Sequence, residues 1–163
     1  MDGQSFVARF GGVFEHSPWV AEGAYGPDLP LTAPAVHAAM CAVFRAATRE
    51  ERLAVLRAHP DLAGKLAVSG GLTEESRAEQ AGAGLDRLTP EEFARFTALN
   101  AAYVETFGFP FIIAVKGLDR HAILAAFEAR IGNGAEEEFE TASAEVEKIA
   151  RLRLEGLLPG DAR

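Results

Sequence analysis

With a single cysteine, Cys41, in 163 residues, the chain cannot form an intramolecular disulfide, which suits a reducing compartment. Cys41 sits in an apolar helical run and reads as a small core residue. No apolar run approaches the roughly 18 residues of a membrane span. The opening Met1-Asp2-Gly3-Gln4-Ser5 lacks the cationic and apolar regions of a secretory signal, and Gly160-Asp161-Ala162-Arg163 is not a peroxisomal address. The cytoplasm is therefore the expected location, with no membrane partner. Positive charge is scarce as well: 16 Lys and Arg against 24 Asp and Glu leave a net charge of -8. Without a basic stripe interleaved with aromatics, nucleic acid has no electrostatic footprint. His16, His37, His59 and His121 are dispersed, with no H-E-x-x-H and no i, i+4 pair, so no metal is expected. A nucleophile at Cys41 or Ser76 is disfavoured by the lack of a G-x-S-x-G elbow.

What remains is an ordinary globular composition: 48% hydrophobic and 25% charged residues, too apolar for disorder and sufficient for one domain over 1–163. Phe6, Val7, Phe10, Val13 and Phe14 keep a helical spacing that predicts a first helix ending near His16 to Pro18, followed by a Gly- and Pro-rich loop over about 22–32. Thr32 is expected to cap a helix over about 33–47, and Thr48 with Glu51 has the form of a capping box for a helix from Glu50 to Ala58. Asp61 reads as the cap of a short turn through Leu66, and Ser69-Gly70-Gly71 as a break. Thr73 and the acidic Glu74 and Glu75 mark the next helix start.

Thr89-Pro90-Glu91-Glu92 opens a helix to about Thr106, with Phe93, Phe96, Leu99, Tyr103 and Phe107 as its apolar stripe. Phe111 to Val115 is the only β-type run. One strand makes no sheet, so it reads as a buried extended segment whose backbone groups must find other partners, a bound ligand among the options. Asp119 caps a helix to about Ile131, and a last helix over about 135–158 carries Phe139, Val146, Ile149, Leu152 and Leu157 on its apolar side. The fold class is all-α: seven or eight helices with one buried extended segment over about 110–116.

Two fragments carry chemistry. Ser76, Glu79 and Gln80 stand at i, i+3 and i+4, on one polar helix face. That face is either solvated or part of a site. His59 lies at a helix end before Pro60, which pushes its backbone out of the α region. A histidine there either complements the helix dipole or serves as an acid/base group near neutral pH.

The fragments His59-Pro60-Asp61-Leu62, Ser76-x-x-Glu79-Gln80, Gly84-Leu85, Leu99-Asn100-x-x-Tyr103, the run Phe107 to Val115 and Ile149-x-x-Leu152-Arg153-Leu154, in this order and spacing, resemble the 2-oxo-4-hydroxy-4-carboxy-5-ureidoimidazoline (OHCU) decarboxylase family over nearly the full chain. The resemblance implies a helical bundle, commonly a homodimer, that forms (S)-allantoin from a small-molecule substrate of the uric acid pathway without metal or organic cofactor. It also implies that His59 is the proton donor and that Pro60, the stretch Ser76, Arg77, Glu79 and Gln80, and the run Phe111, Ile112, Ile113, Ala114 and Val115 line the substrate site. Arg153 matches the family's terminal arginine, a clamp for an anionic or carbonyl group. Glu79 is read as the carboxylate that orients the substrate. The alternative from another class is a non-catalytic helical ligand-binding or adaptor module, in which the polar face is a docking surface.

Overall fold

Thr32, Thr48, Thr73 and Thr89 each precede a helix, and each hydroxyl accepts the backbone N–H three residues on, at 3.1–3.2 Å. Asp2 and Asp119 do the same at 2.8 Å. Short polar side chains thus satisfy amides that the first turn of a helix leaves without partners. The computed structural model of the chain describes residues 1–63 and 72–158. Those residues hold eight helices and no strand. They are α1 (Gly3–Phe10), α2 (Trp19–Ala24), α3 (Ala33–Ala46), α4 (Arg49–Ala58), α5 (Glu74–Gly82), α6 (Pro90–Phe107), α7 (Arg120–Arg130) and α8 (Ala135–Leu157). The turn expected from Asp61 to Leu66 and the break at Ser69-Gly70-Gly71 lie largely or wholly outside the described residues.

The chain falls into two compact units, Met1–Ala58 with Val146–Arg163, and His59–Glu145. In the first unit, α1 stops at Phe10 rather than near His16, and α2 begins at Trp19 and runs to Ala24, into the start of the stretch expected as a loop over about 22–32. Gly11-Gly12 breaks the helix, yet Val13 and Phe14 remain buried because two tight turns replace it, with Val13 N–H donating to Phe10 C=O and Ser17 N–H to Phe14 C=O. A spacing of three or four residues fits a succession of such turns as well as a helix. The Thr48 and Glu51 box forms reciprocally, with bonds of 2.9 and 3.1 Å at the start of α4. Phe6 against Phe10 and Phe14 against Phe44, with ring centroids 4.9 and 5.4 Å apart, fill the core.

The second unit is built around Tyr103 on α6, whose ring meets Phe107, Phe109, Phe111 and Phe127 at centroid distances of 4.6–5.8 Å. Phe111 stacks on Phe127 at 4.0 Å. Gly108, at φ 79, takes the left-handed conformation that ends α6 and turns the chain into the run of residues 109–115. The α6 stripe is shorter than expected, since Phe93 is 40% exposed while Phe96, Leu99 and Tyr103 are buried. On α8 the buried positions include Val146, Ile149, Ala150, Arg153 and Leu154, at i, i+3, i+4, i+7 and i+8. Leu157, placed on that side by the sequence, is exposed.

Candidate active site

His59 follows directly on α4 and is buried. The chain beyond it, Pro60 to Ala63, forms no regular element and needs outside partners for its peptide groups. Two side-chain amides supply them. Gln80 on α5 accepts from Ala63 N–H at 2.9 Å and donates through Nε2 to Asp61 C=O at 3.2 Å. Asn100 on α6 donates through Nδ2 to Leu62 C=O at 2.9 Å. Ala63 sits at φ 53, a conformation that costs an L-residue about 1 kcal/mol and persists only where neighbours hold it. Burial pushes the Asp61 carboxyl above its ordinary pKa.

The face of α5 formed by Ser76, Glu79 and Gln80 is not a solvated one. Ser76 and Gln80 are each 5% exposed and Glu79 is half-buried. Arg77 is exposed and paired with Glu74 at 2.8 Å. A cavity of about 480 Å³ lies beside this helix, with Ala63, Arg77, Gln80, Ala81, Leu85 and Phe93 in its wall.

The run Phe111 to Val115 is buried except for Ile113, which is half-buried. Two of its backbone groups meet protein side chains rather than awaiting a ligand. Arg130 on α7 donates through Nη1 to Ile112 C=O at 2.7 Å, and Glu145 on α8 accepts from Ala114 N–H at 2.9 Å. Arg130 is itself held by Glu138, which accepts from its Nε and Nη2 at 2.9 and 2.7 Å and also from Tyr103 Oη and from Asn133 Nδ2. Glu138 is fully buried, so this network compensates a charge that would otherwise be very costly. Burial and the adjacent Glu138 carboxylate push the Tyr103 phenol pKa up, so Tyr103 stays a donor.

Arg153 belongs to the first unit. It is buried, with Nη1 donating to Gly12 C=O at 3.2 Å and lying 3.4 Å from Oε1 of Glu15, a residue only 1% exposed. Within the second unit, then, the loop after His59 is joined to α5 and α6, and the run Phe111 to Val115 to α7 and α8. Arg77 faces solvent, and Arg153 is held by the turn after α1. Sequence reasoning missed Glu15, Asn100, Arg130, Glu138 and Glu145 as site supports. Asn100 carried a signal, a polar residue on the Phe96 and Tyr103 face of α6. Arg130 and Glu138 are eight residues apart across a helix break, a pairing with no local signature.

A sequence profile described as OHCU decarboxylase matches residues 1–155. The 2-oxo-4-hydroxy-4-carboxy-5-ureidoimidazoline decarboxylase of Haloferax volcanii is 44% identical over 154 residues, covering 94% of this chain and 89% of that protein. A crystal structure of (S)-allantoin synthase superposes with a TM-score of 0.76 at 32% identity, over 97% of this chain and 51% of that one. A structure of OHCU decarboxylase determined in the presence of (S)-allantoin shares the fold, with a TM-score of 0.69 at 21% identity over 98% of this chain and 99% of that one. The order of motifs, the helical fold and these matches across almost the whole length place the chain in the OHCU decarboxylase family.

Proposed function

We propose that this chain catalyses the decarboxylation of 2-oxo-4-hydroxy-4-carboxy-5-ureidoimidazoline to (S)-allantoin in uric acid degradation, and that residues 1–163 act as one functional domain. The observation that carries this reading is the 44% identity to a decarboxylase of that name along 94% of the chain. The chemistry fits the residues. The substrate carbon that bears the carboxylate also bears a hydroxyl and adjoins a ring C=N bond. When the bond to the carboxylate breaks, its electron pair moves into that C=N, leaving carbon dioxide and an enamine-like ring. A proton delivered to one face of the ureido-bearing carbon then sets the S configuration, as the hydroxyl gives up its proton and becomes the ring carbonyl. Because the substrate holds the electrons itself, the step calls for no electron-sink cofactor.

His59 donates or relays that proton, and Glu79 hydrogen-bonds the substrate hydroxyl and orients the leaving carboxylate. Arg153 offsets the negative charge that Glu79 and the substrate carboxylate bring together. Pro60, Ser76, Gln80 and the run Phe111 to Val115 form the walls around the ring, with Arg77 at the rim. The working form is a cytoplasmic homodimer. The test generates the substrate from urate with upstream enzymes and follows optical rotation and carbon dioxide release. Spontaneous decay gives racemic allantoin, so accelerated formation of the S form alone supports the reading. Replacing His59 by Ala is expected to lower turnover roughly 10²–10⁴-fold. A variant with near-normal rate and chirality removes His59 from the mechanism.

A further inference from the structure

Arg130 and Glu145 hold backbone groups of two residues that share parity, Ile112 and Ala114. In an extended chain the peptide groups of alternate residues point to the same edge, and those of the residue between them to the opposite edge. One edge of the run is thus taken by a guanidinium and a carboxylate. In such a conformation the N–H and C=O of Ile113 face the other way, and they meet no hydrogen-bond partner among the described residues. Ile113 is also the single residue of the run that is not fully buried. The edge bearing Arg130 is stiffened further, since its guanidinium carbon lies 4.4 Å from the Phe111 ring centroid and its Nε and Nη2 both donate to Glu138.

We propose that Arg130 and Glu145 are positioning residues, which by occupying one edge of the run present the Ile113 donor and acceptor to the substrate. A cyclic ureide carries an N–H and a C=O side by side, the complement of one residue's backbone pair in extended conformation. The inference rests on the decarboxylase reading and adds which side chains fix the ureide-reading edge. Neither touches the substrate.

Glu145 is the residue to change, because removing Arg130 would strand Glu138 in the core. Glu145→Ala leaves Ala114 N–H without its acceptor and frees the run to shift. The expected result is KM raised about tenfold with kcat changed far less, alongside a lower melting temperature from the stranded Ala114 N–H. Glu145→Gln keeps an oxygen for Ala114 N–H and restores KM to within about twofold, which a purely electrostatic role would not allow. Glu145→Met keeps the stem without the acceptor and serves if the alanine variant fails to fold. An active wild type whose Glu145→Ala and Glu145→Met variants both retain KM overturns this inference alone. A wild type that does not accelerate substrate decay overturns the functional reading and this inference with it.

Discussion

Replacing Gln80 by Ala removes two bonds between α5 and the chain following His59, the 2.9 Å bond from Ala63 N–H and the 3.2 Å bond to Asp61 C=O. Each neutral hydrogen bond contributes about 0.5–1.5 kcal/mol net, and a buried amide left without a partner costs about 1–3 kcal/mol. Ala63 is 2% exposed, so its N–H cannot simply turn to water, whereas Asp61 is half-buried and its carbonyl can. The cavity left by the shortened side chain adjoins an existing space of about 480 Å³, so its own contribution is small. The loss expected is therefore about 2–4 kcal/mol in urea denaturation. Turnover falls too, because the loop that mounts His59 is no longer fixed. Gln80→Glu separates the two bonds. It keeps the acceptor for Ala63 N–H but sets a carboxylate oxygen against the Asp61 carbonyl. Its deficit should shrink as pH falls below the carboxyl's folded pKa, because the protonated acid donates again. If Gln80→Ala unfolds within about 0.5 kcal/mol of wild type and turns over normally, the brace does not hold the loop.

Two further outcomes follow from perturbed groups. Burial raises the Asp61 pKa, so the folded chain takes up a proton at higher pH than the unfolded one, and ionised Asp61 costs stability at neutral pH. Asp61→Asn should accordingly stabilise the protein at pH 7, with the gain vanishing as pH falls through the folded pKa, as paired denaturation curves at the two pH values would show. Burial likewise pushes the Cys41 thiol from 9.0 up to about 12. The native thiol should resist aromatic disulfide reagents at pH 8, and stability should decline between pH 9 and 12 as the unfolded thiolate forms. Cys41→Ala should lose that slope, and equal reactivity in native and unfolded protein would show the thiol to be accessible.

Helix starts were legible because their chemistry is local: Thr48 and Glu51, or Thr89 and Glu92, need only a spacing of three. The turn at residues 11–18 was not, since apolar spacing does not distinguish a helix from successive tight turns. Within the site, His59 and the polar face of α5 stood out as residue types in a suggestive order. Their supports did not. Gln80 could be named from sequence, but its bonds to Ala63 and Asp61 cross a span of 17–19 residues. Glu145 meets Ala114 across 31 residues, and Glu15 meets Arg153 across 138. Such pairings are set by packing, which no window of sequence encodes.

The distribution of chromophores gives the first compact unit an optical signature of its own. The only tryptophan, Trp19, lies in the first unit, whereas Tyr103 is wrapped by phenylalanine rings in the second. Indole emission therefore follows the loss of the first, whereas the near-ultraviolet dichroism carries the immobilised Tyr103 phenol of the second together with Trp19 and Tyr25 of the first. A single melting experiment read in both channels measures whether the halves of this fold come apart in one step or two.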